Sequence, residues 1–351
     1  MKVGIVGAGV AGGLLAWEMV KKEFDVTLFD KNAIDSEAAC SFAAAGILSP
    51  LAELEMAESK IYELGTRSLQ LYPDLIKELD TEIYYRHQGS LVTAHGSDKV
   101  ELERLYRLLE TKLNNGKDQV RKISIGEKEP ELAHLGNGLW MTNEGQIDTI
   151  ALLTALQKQL LKRGVSWVEN TEVQQIEPGR IKTDKGSCNY DWVFDCRGLG
   201  AKETLPLRAV RGELLWLHAP DVNIKHLTRL MHPRYRIYLV PRPNNVYLIG
   251  ATEIESEDHS PVSVRSTLEL LSAAYSLHKS LGEARIIKQV VNCRPALPDN
   301  LPKIELQDGI GIINGLYRHG ILLAPAVVEQ MMKLFEQALI EKDEASHAIN
   351  C

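Results

Sequence analysis

The residues best suited to chemistry come first in the chain. Gly7, Gly9 and Gly12 stand in the pattern G-x-G-x-x-G, and Asp30 follows about twenty residues on. Each type fits one task. Gly7 permits a tight turn, Gly9 lets backbone approach a pyrophosphate, and Gly12 lets a helix lie close on a strand. The start of that helix offers free N–H groups and the positive end of its dipole to phosphates. Asp30 can accept hydrogen bonds from both hydroxyls of a ribose, and its charge would repel a 2′-phosphate. A glycine-rich turn in an ordinary α/β protein shares the glycines but not the rest. Here Lys2–Val6 reads as a short buried strand, Val10 to Lys22 as a helix, and Val26–Phe29 as a second strand ending at Asp30. With all these parts in register, the sequence predicts adenine-dinucleotide binding.

Other stretches could meet such a ligand. Ser41–Pro50 is a run of small residues closed by Gly46 and Pro50, suited to a backbone pressed against a flat ligand or to a tightly packed helix start. Trp192–Asp195 reads as a strand running into Cys196-Arg197-Gly198-Leu199-Gly200, the position of a second dinucleotide contact. The charged Asp195-Cys196-Arg197 is unusual for a purely structural strand end. Arg294, beside Pro295 at the end of a predicted strand, marks a functional arginine at a domain edge. The five cysteines are scattered without C-x-x-C, so neither a metal site nor a disulfide framework is predicted.

The elements that must hold these residues alternate along the chain. The pattern predicts an amphipathic helix from Glu58 to Tyr72 broken at Pro73, and a helix capped by Asp148 and ended by Gly164. Val173–Ile176 reads as a strand. Ile237–Arg242 and Val246–Thr252 form an antiparallel hairpin, and a closing helix runs from Ile321 to Ile340. The fold class is α/β with an α+β second layer. A Rossmann-like domain takes residues 1–82, 145–204 and 285–351, and a mostly antiparallel domain takes 83–144 and 205–284.

Bulk properties narrow the function. The 351 residues, 44% hydrophobic and 25% charged, are enough for about two ordinary globular domains. A net charge of −7 with no basic run argues against nucleic acid and against an anionic membrane surface. No apolar stretch reaches the roughly 18 residues that a bilayer span needs. The apolar N-terminus is explained by the glycine motif rather than by a signal peptide, so a cytoplasmic protein is predicted.

Six motifs in order carry a family resemblance: Ala43–Pro50, Asp195–Ala201, Tyr238–Arg242, Gly250–Thr252, Arg294-Pro295 and Arg318–Pro325. With them the chain resembles, over nearly its whole length, the D-amino-acid oxidase family of FAD enzymes, and within it the glycine oxidase type of thiamine biosynthesis. The resemblance implies non-covalent FAD. One glycine-rich turn would hold it through Gly7, Gly9, Val10, Ala11, Gly12, Asp30 and Lys31. The other would use Val173, Cys196, Arg197, Gly198 and Gly200. The flavin ring would lie against Ala43, Ala44, Ala45, Gly46 and Leu48. The last helix, starting at Gly320, Ile321 and Leu322, would point its N-terminus at the pyrimidine end of the flavin.

The same resemblance gives Arg294 the substrate carboxylate in a two-pronged pair, and Tyr238 a hydroxyl donated to it. Arg318 would stand near substrate and flavin, with Arg294 and His319 also bordering the cofactor. Glu253 replaces an apolar methionine, and His319 stands where asparagine is common, so both become candidate substrate neighbours. The implied reaction is hydride transfer to flavin from glycine, sarcosine or a small D-amino acid, with no dedicated protein base. The imine then hydrolyses to a 2-oxo acid and ammonia, oxygen is reduced to hydrogen peroxide, and the product serves thiazole synthesis. A flavin dehydrogenase, or an oxidase subunit of a larger complex passing electrons to another acceptor, stays open, as does a homo-oligomer.

Overall fold

A computed structural model describes residues 1–113, 116–231, 237–307 and 309–349. The short apolar strand Lys2–Val6 becomes the middle of a sheet, paired in parallel with Asp25–Phe29 on one side and Trp192–Asp195 on the other. Ser166–Val168 extends the first side. Ile310–Asn314 extends the second, and Lys303–Gln307 closes that edge as the one antiparallel strand. A parallel sheet has to be covered on both faces. Helices Val10–Lys21, Ser59–Glu78, Thr149–Lys162 and Gly320–Ile349 cover one, and Phe335 of the last meets Trp192 and Phe194 edge-on at 5.3 and 5.5 Å. On the other, a small antiparallel sheet of Val173–Glu177, Arg180–Thr183 and Gly186–Asn189 packs Val173 and Ile181 against Val6, Phe29 and Val193.

The second sheet has nine strands and is antiparallel except where Leu227–Met231 runs parallel to Ser90–Ala94. The hairpin of Ile237–Arg242 and Val246–Gly250 lies within it, with Arg208–His218 beside Val246–Gly250. One domain boundary needs correction. Residues 285–296, assigned to the Rossmann-like unit, form the strand Arg285–Ala296. It pairs along the whole of Arg208–His218, from Arg208↔Ala296 to His218↔Arg285. Its first residues are exposed, unlike the strands of a covered parallel sheet.

A second correction concerns Pro73, which does not break its helix: Ser59–Glu78 is continuous through it. Pro73 faces solvent, so its ring meets no packed neighbour layer, while Leu69, Tyr72 and Leu75 hold the buried face and keep the helix in place. Asp148 does cap its helix, accepting from the Ala151 N–H at 3.0 Å. Among the described residues no helix is long and apolar enough to cross a membrane.

Candidate active site

Between the two sheets lies a cavity of about 710 Å³, next to a smaller one of about 260 Å³. They share Cys40, Ser41, Asn292, Tyr317 and Gly320 as walls, so one continuous cleft reaches from the first glycine-rich turn to Arg294.

The narrow end is built from backbone. Gly7 has φ +100°, and a Cβ there would stand 2.5 Å from the Cys196 carbonyl oxygen, so the two glycine-rich turns lie against each other. Gly12 is not part of the wall. A side chain on it would collide with the Gly7 carbonyl, and its role is the close packing of helix on turn. Gly9, Val10, Ala11, Asp30, Lys31, Val173, Cys196, Arg197, Gly198 and Gly200 all line this end. Asp30 accepts from the Ala8 N–H at 2.8 Å and from the Asn32 N–H at 2.9 Å, which orients its carboxylate at the strand end. The charges at Asp195 and Arg197 pair with each other at 2.7 Å, and Asp195 also accepts from the Arg197 N–H, so they fix the second turn.

The small-residue stretch lines the wide end through the turn and loop of Ala43, Ala44, Ala45 and Gly46 and through Ile47 of the short strand Ile47–Leu48, and a short helix, Pro50–Glu53, starts only beyond it. Leu48 is the exception to the expected contacts. It alternates with Ile47 and Ser49, which line the cavity, and its own side chain is buried in the core. Arg242 holds this loop in place, donating to the Ala45 and Ile147 carbonyls at 2.7 and 2.8 Å and to Gln146 at 2.7 Å. In the sequence Arg242 stands out only as the end of the motif Tyr238–Arg242. The visible signal was a charge closing an apolar strand.

The wide end also gathers the charged residues. Arg294, Tyr238, Arg318, Glu253 and His319 all reach it, with Gly320, Ile321 and Leu322 at the start of the last helix. Arg318 lies between two acids, with Nη1 3.0 Å from Glu253 and Nη2 2.6 Å from Glu53. Burial pushes the Glu53 carboxyl up, but the Arg318 and Arg229 charges pull it further down, so it stays ionised. Glu253 also accepts the Tyr317 hydroxyl, and its pKa is lowered because that bond and the charges of Arg318 and Arg294 outweigh burial. His319 is buried and its pKa falls to about 4, chiefly by desolvation, so near neutral pH it is an uncharged ring 3.7 Å from Glu53. Burial holds the Tyr238 phenol protonated, with Arg229 5.8 Å from its ring centre. Arg294 donates from Nη1 to the Thr252 carbonyl at 3.2 Å. Glu53 was missed in the sequence, since nothing near it in the chain marks it as a partner of Arg318.

The family described as DAO, FAD dependent oxidoreductase, matches residues 2–334. The chain belongs to that family. This FAD-dependent oxidoreductase is 35% identical to the provisionally named thiamine biosynthesis oxidoreductase ThiO of Rhizobium etli, over 97% of its own length and 99% of the relative's. The crystal structure of glycine oxidase from Geobacillus kaustophilus superposes with a TM-score of 0.84 at 27% identity, covering 95% of this chain and 94% of that one. A bifunctional protein ThiO/ThiG of Synechocystis is 29% identical over 92% of this chain, which spans 49% of that longer protein. The cleft suits FAD: bare glycine backbone at the pyrophosphate position, an acid at the ribose position, and a small-residue wall where a flat ring would lie.

Proposed function

We propose that this FAD-dependent oxidoreductase oxidises a small amino acid, glycine foremost, at its Cα–N bond with oxygen as acceptor, releasing a 2-oxo acid, ammonia and hydrogen peroxide. The observation that carries the reading is Arg294. It is a half-buried guanidinium on the cleft wall, sharing the cavity with the small-residue loop, with one hydrogen bond among the described residues to the Thr252 carbonyl. A half-buried cation with donors to spare is a site for an anion, and guanidinium suits a carboxylate in two-pronged contact. Arg318 differs, because Glu53 and Glu253 already balance it; it shapes and charges the wall. Tyr238, protonated, adds a hydroxyl to the carboxylate. Bound flavin supplies the electron acceptor. No protein base is assigned, and the neutral His319 is turned to Glu53.

The relatives named for thiamine biosynthesis, one of them fused to ThiG, support delivery of the product to thiazole synthesis. We place the reaction in the cytoplasm. We divide the chain into an FAD-binding domain of residues 1–82, 145–204 and 297–351 and a substrate-binding domain of 83–144 and 205–296.

The test uses the purified yellow holoenzyme with glycine, sarcosine and D-alanine. Bleaching of the flavin without air, and peroxide equal to 2-oxo acid in air, is the expected result. Bleaching without peroxide in air moves the acceptor away from oxygen. A flavin that none of the three reduces removes the amino-acid reading.

A further inference from the structure

Gly212 sits inside the strand Arg208–His218, in ordinary extended backbone, where a glycine has no turn to serve. Glycine there gives up side-chain packing and backbone entropy, and the usual compensation is close approach of another group. That group is Arg294. A Cβ on Gly212 would stand 2.5 Å from Cζ and 3.0 Å from Nη1 of Arg294, and closer still to Nη2. All three nearest atoms belong to the guanidinium, so it lies on bare backbone. The register explains the meeting. Arg294 pairs with Val210 and Asn292 with Gly212, which makes Arg294 and Gly212 diagonal neighbours.

A second contact fixes the rotation of the same group. Arg294 Nη1 donates to the Thr252 carbonyl, and Thr252 is pinned to Glu213: its N–H donates to the Glu213 carbonyl at 3.2 Å, and its hydroxyl accepts from the Glu213 N–H at 2.9 Å. Glu213 is fully buried and held by Arg211 at 2.6 Å and by the Ser263 N–H at 3.2 Å. In Arg211-Gly212-Glu213 the outer two residues therefore anchor the support, and the middle one supplies the empty place.

We propose that Gly212 is a positioning residue for substrate. Its missing side chain sets the plane of the Arg294 guanidinium, and Thr252 sets its rotation, so that one edge faces the carboxylate of a small amino acid. The inference rests on the carboxylate reading of Arg294. A methyl group at 212 displaces the guanidinium by about 1 Å, a misplacement that can cost roughly 100-fold in a positioned contact.

The test is a set of holoenzyme variants titrated with acetate, a carboxylate with no amine to oxidise, read from the shift in flavin absorbance. Gly212→Ala should keep its flavin, lose acetate affinity by roughly 100-fold and show a matching rise in KM for glycine, with kcat falling much less. In an Arg294→Lys background the same change should add little, because no planar group remains to be displaced. Wild-type acetate affinity in Gly212→Ala, beside a weakened Arg294→Lys, overturns the positioning role. Wild-type affinity in Arg294→Lys overturns the carboxylate reading and the role of Gly212 with it. If Gly212→Ala does not fold, the double variant with Arg294→Ala decides. Recovery of a folded holoenzyme supports the inference, since the guanidinium was the obstacle, and continued failure assigns the glycine to the sheet alone.

Discussion

A zwitterion as small as glycine has almost no apolar surface, so its binding rests on its charged ends. Removing one member of a buried charge pair costs about 3–5 kcal/mol, and Arg294→Ala should lower kcat/KM by roughly two to three orders of magnitude. Arg294→Lys should recover part of this, with the flavin spectrum intact in both; steady-state kinetics on the holoenzymes checks it. Glu253 contributes differently, as one of two acids that balance Arg318. Glu253→Met leaves Arg318 with Glu53 alone, and we expect the rate on D-aspartate relative to D-alanine to rise about tenfold, the equivalent of about 1.4 kcal/mol. An unchanged ratio would show that the carboxylate has no part in selection. Arg294, Tyr238 and Arg318 were legible because each stands in a local motif. Glu53 was not, because its partner Arg318 lies 265 residues away. Gly212 was not, because its meaning is the absence of a side chain beneath an arginine from another strand.

Elements can be legible in type and still be misplaced at their ends. The alternation that marks Arg285–Ala296 as a strand does not say which sheet it joins, and the packing of Leu69, Tyr72 and Leu75 carries the helix through Pro73 against its local preference. The short helix Pro50–Glu53 shows how much support an element can draw from elsewhere. Glu144 is fully buried, accepts from the Ala52 N–H at 2.7 Å and also takes the Ser90 hydroxyl. Burial raises its carboxyl to about 7, against the pull of those hydrogen bonds. The folded protein thus keeps a proton that the unfolded chain releases. This contribution is fully present below the ordinary value of 4.5 and is lost as pH rises through about 7, with a size of about 3 kcal/mol. Melting temperatures should therefore carry a downward component between pH 5 and 8 that Glu144→Gln removes. A Glu144→Gln profile parallel to wild type would contradict it.

At the scale of the molecule, the cleft is bridged by polar links between its two sides, among them Lys288 with Glu37 at 2.7 Å and Asn292 with the Ala38 carbonyl at 3.0 Å. A ligand that fills the cleft binds the folded state alone and stabilises it, by about 4 kcal/mol at a thousandfold excess over Kd. Stripping FAD should lower the melting temperature by several degrees, and adding FAD back should restore it in a concentration-dependent way; calorimetry on apo and holo protein checks this. The contact of Gly7 with Cys196 also bears on biogenesis. Lys2–Val6 has to wait for Trp192–Asp195 before its turn meets the other, and for the chain beyond Gly320 before the far wall exists. Cofactor loading is therefore expected to need the chain through Gly320 and the helix that follows it. A ribosome-stalled chain that lacks its last helix has both nucleotide turns and no closed place to hold a flavin.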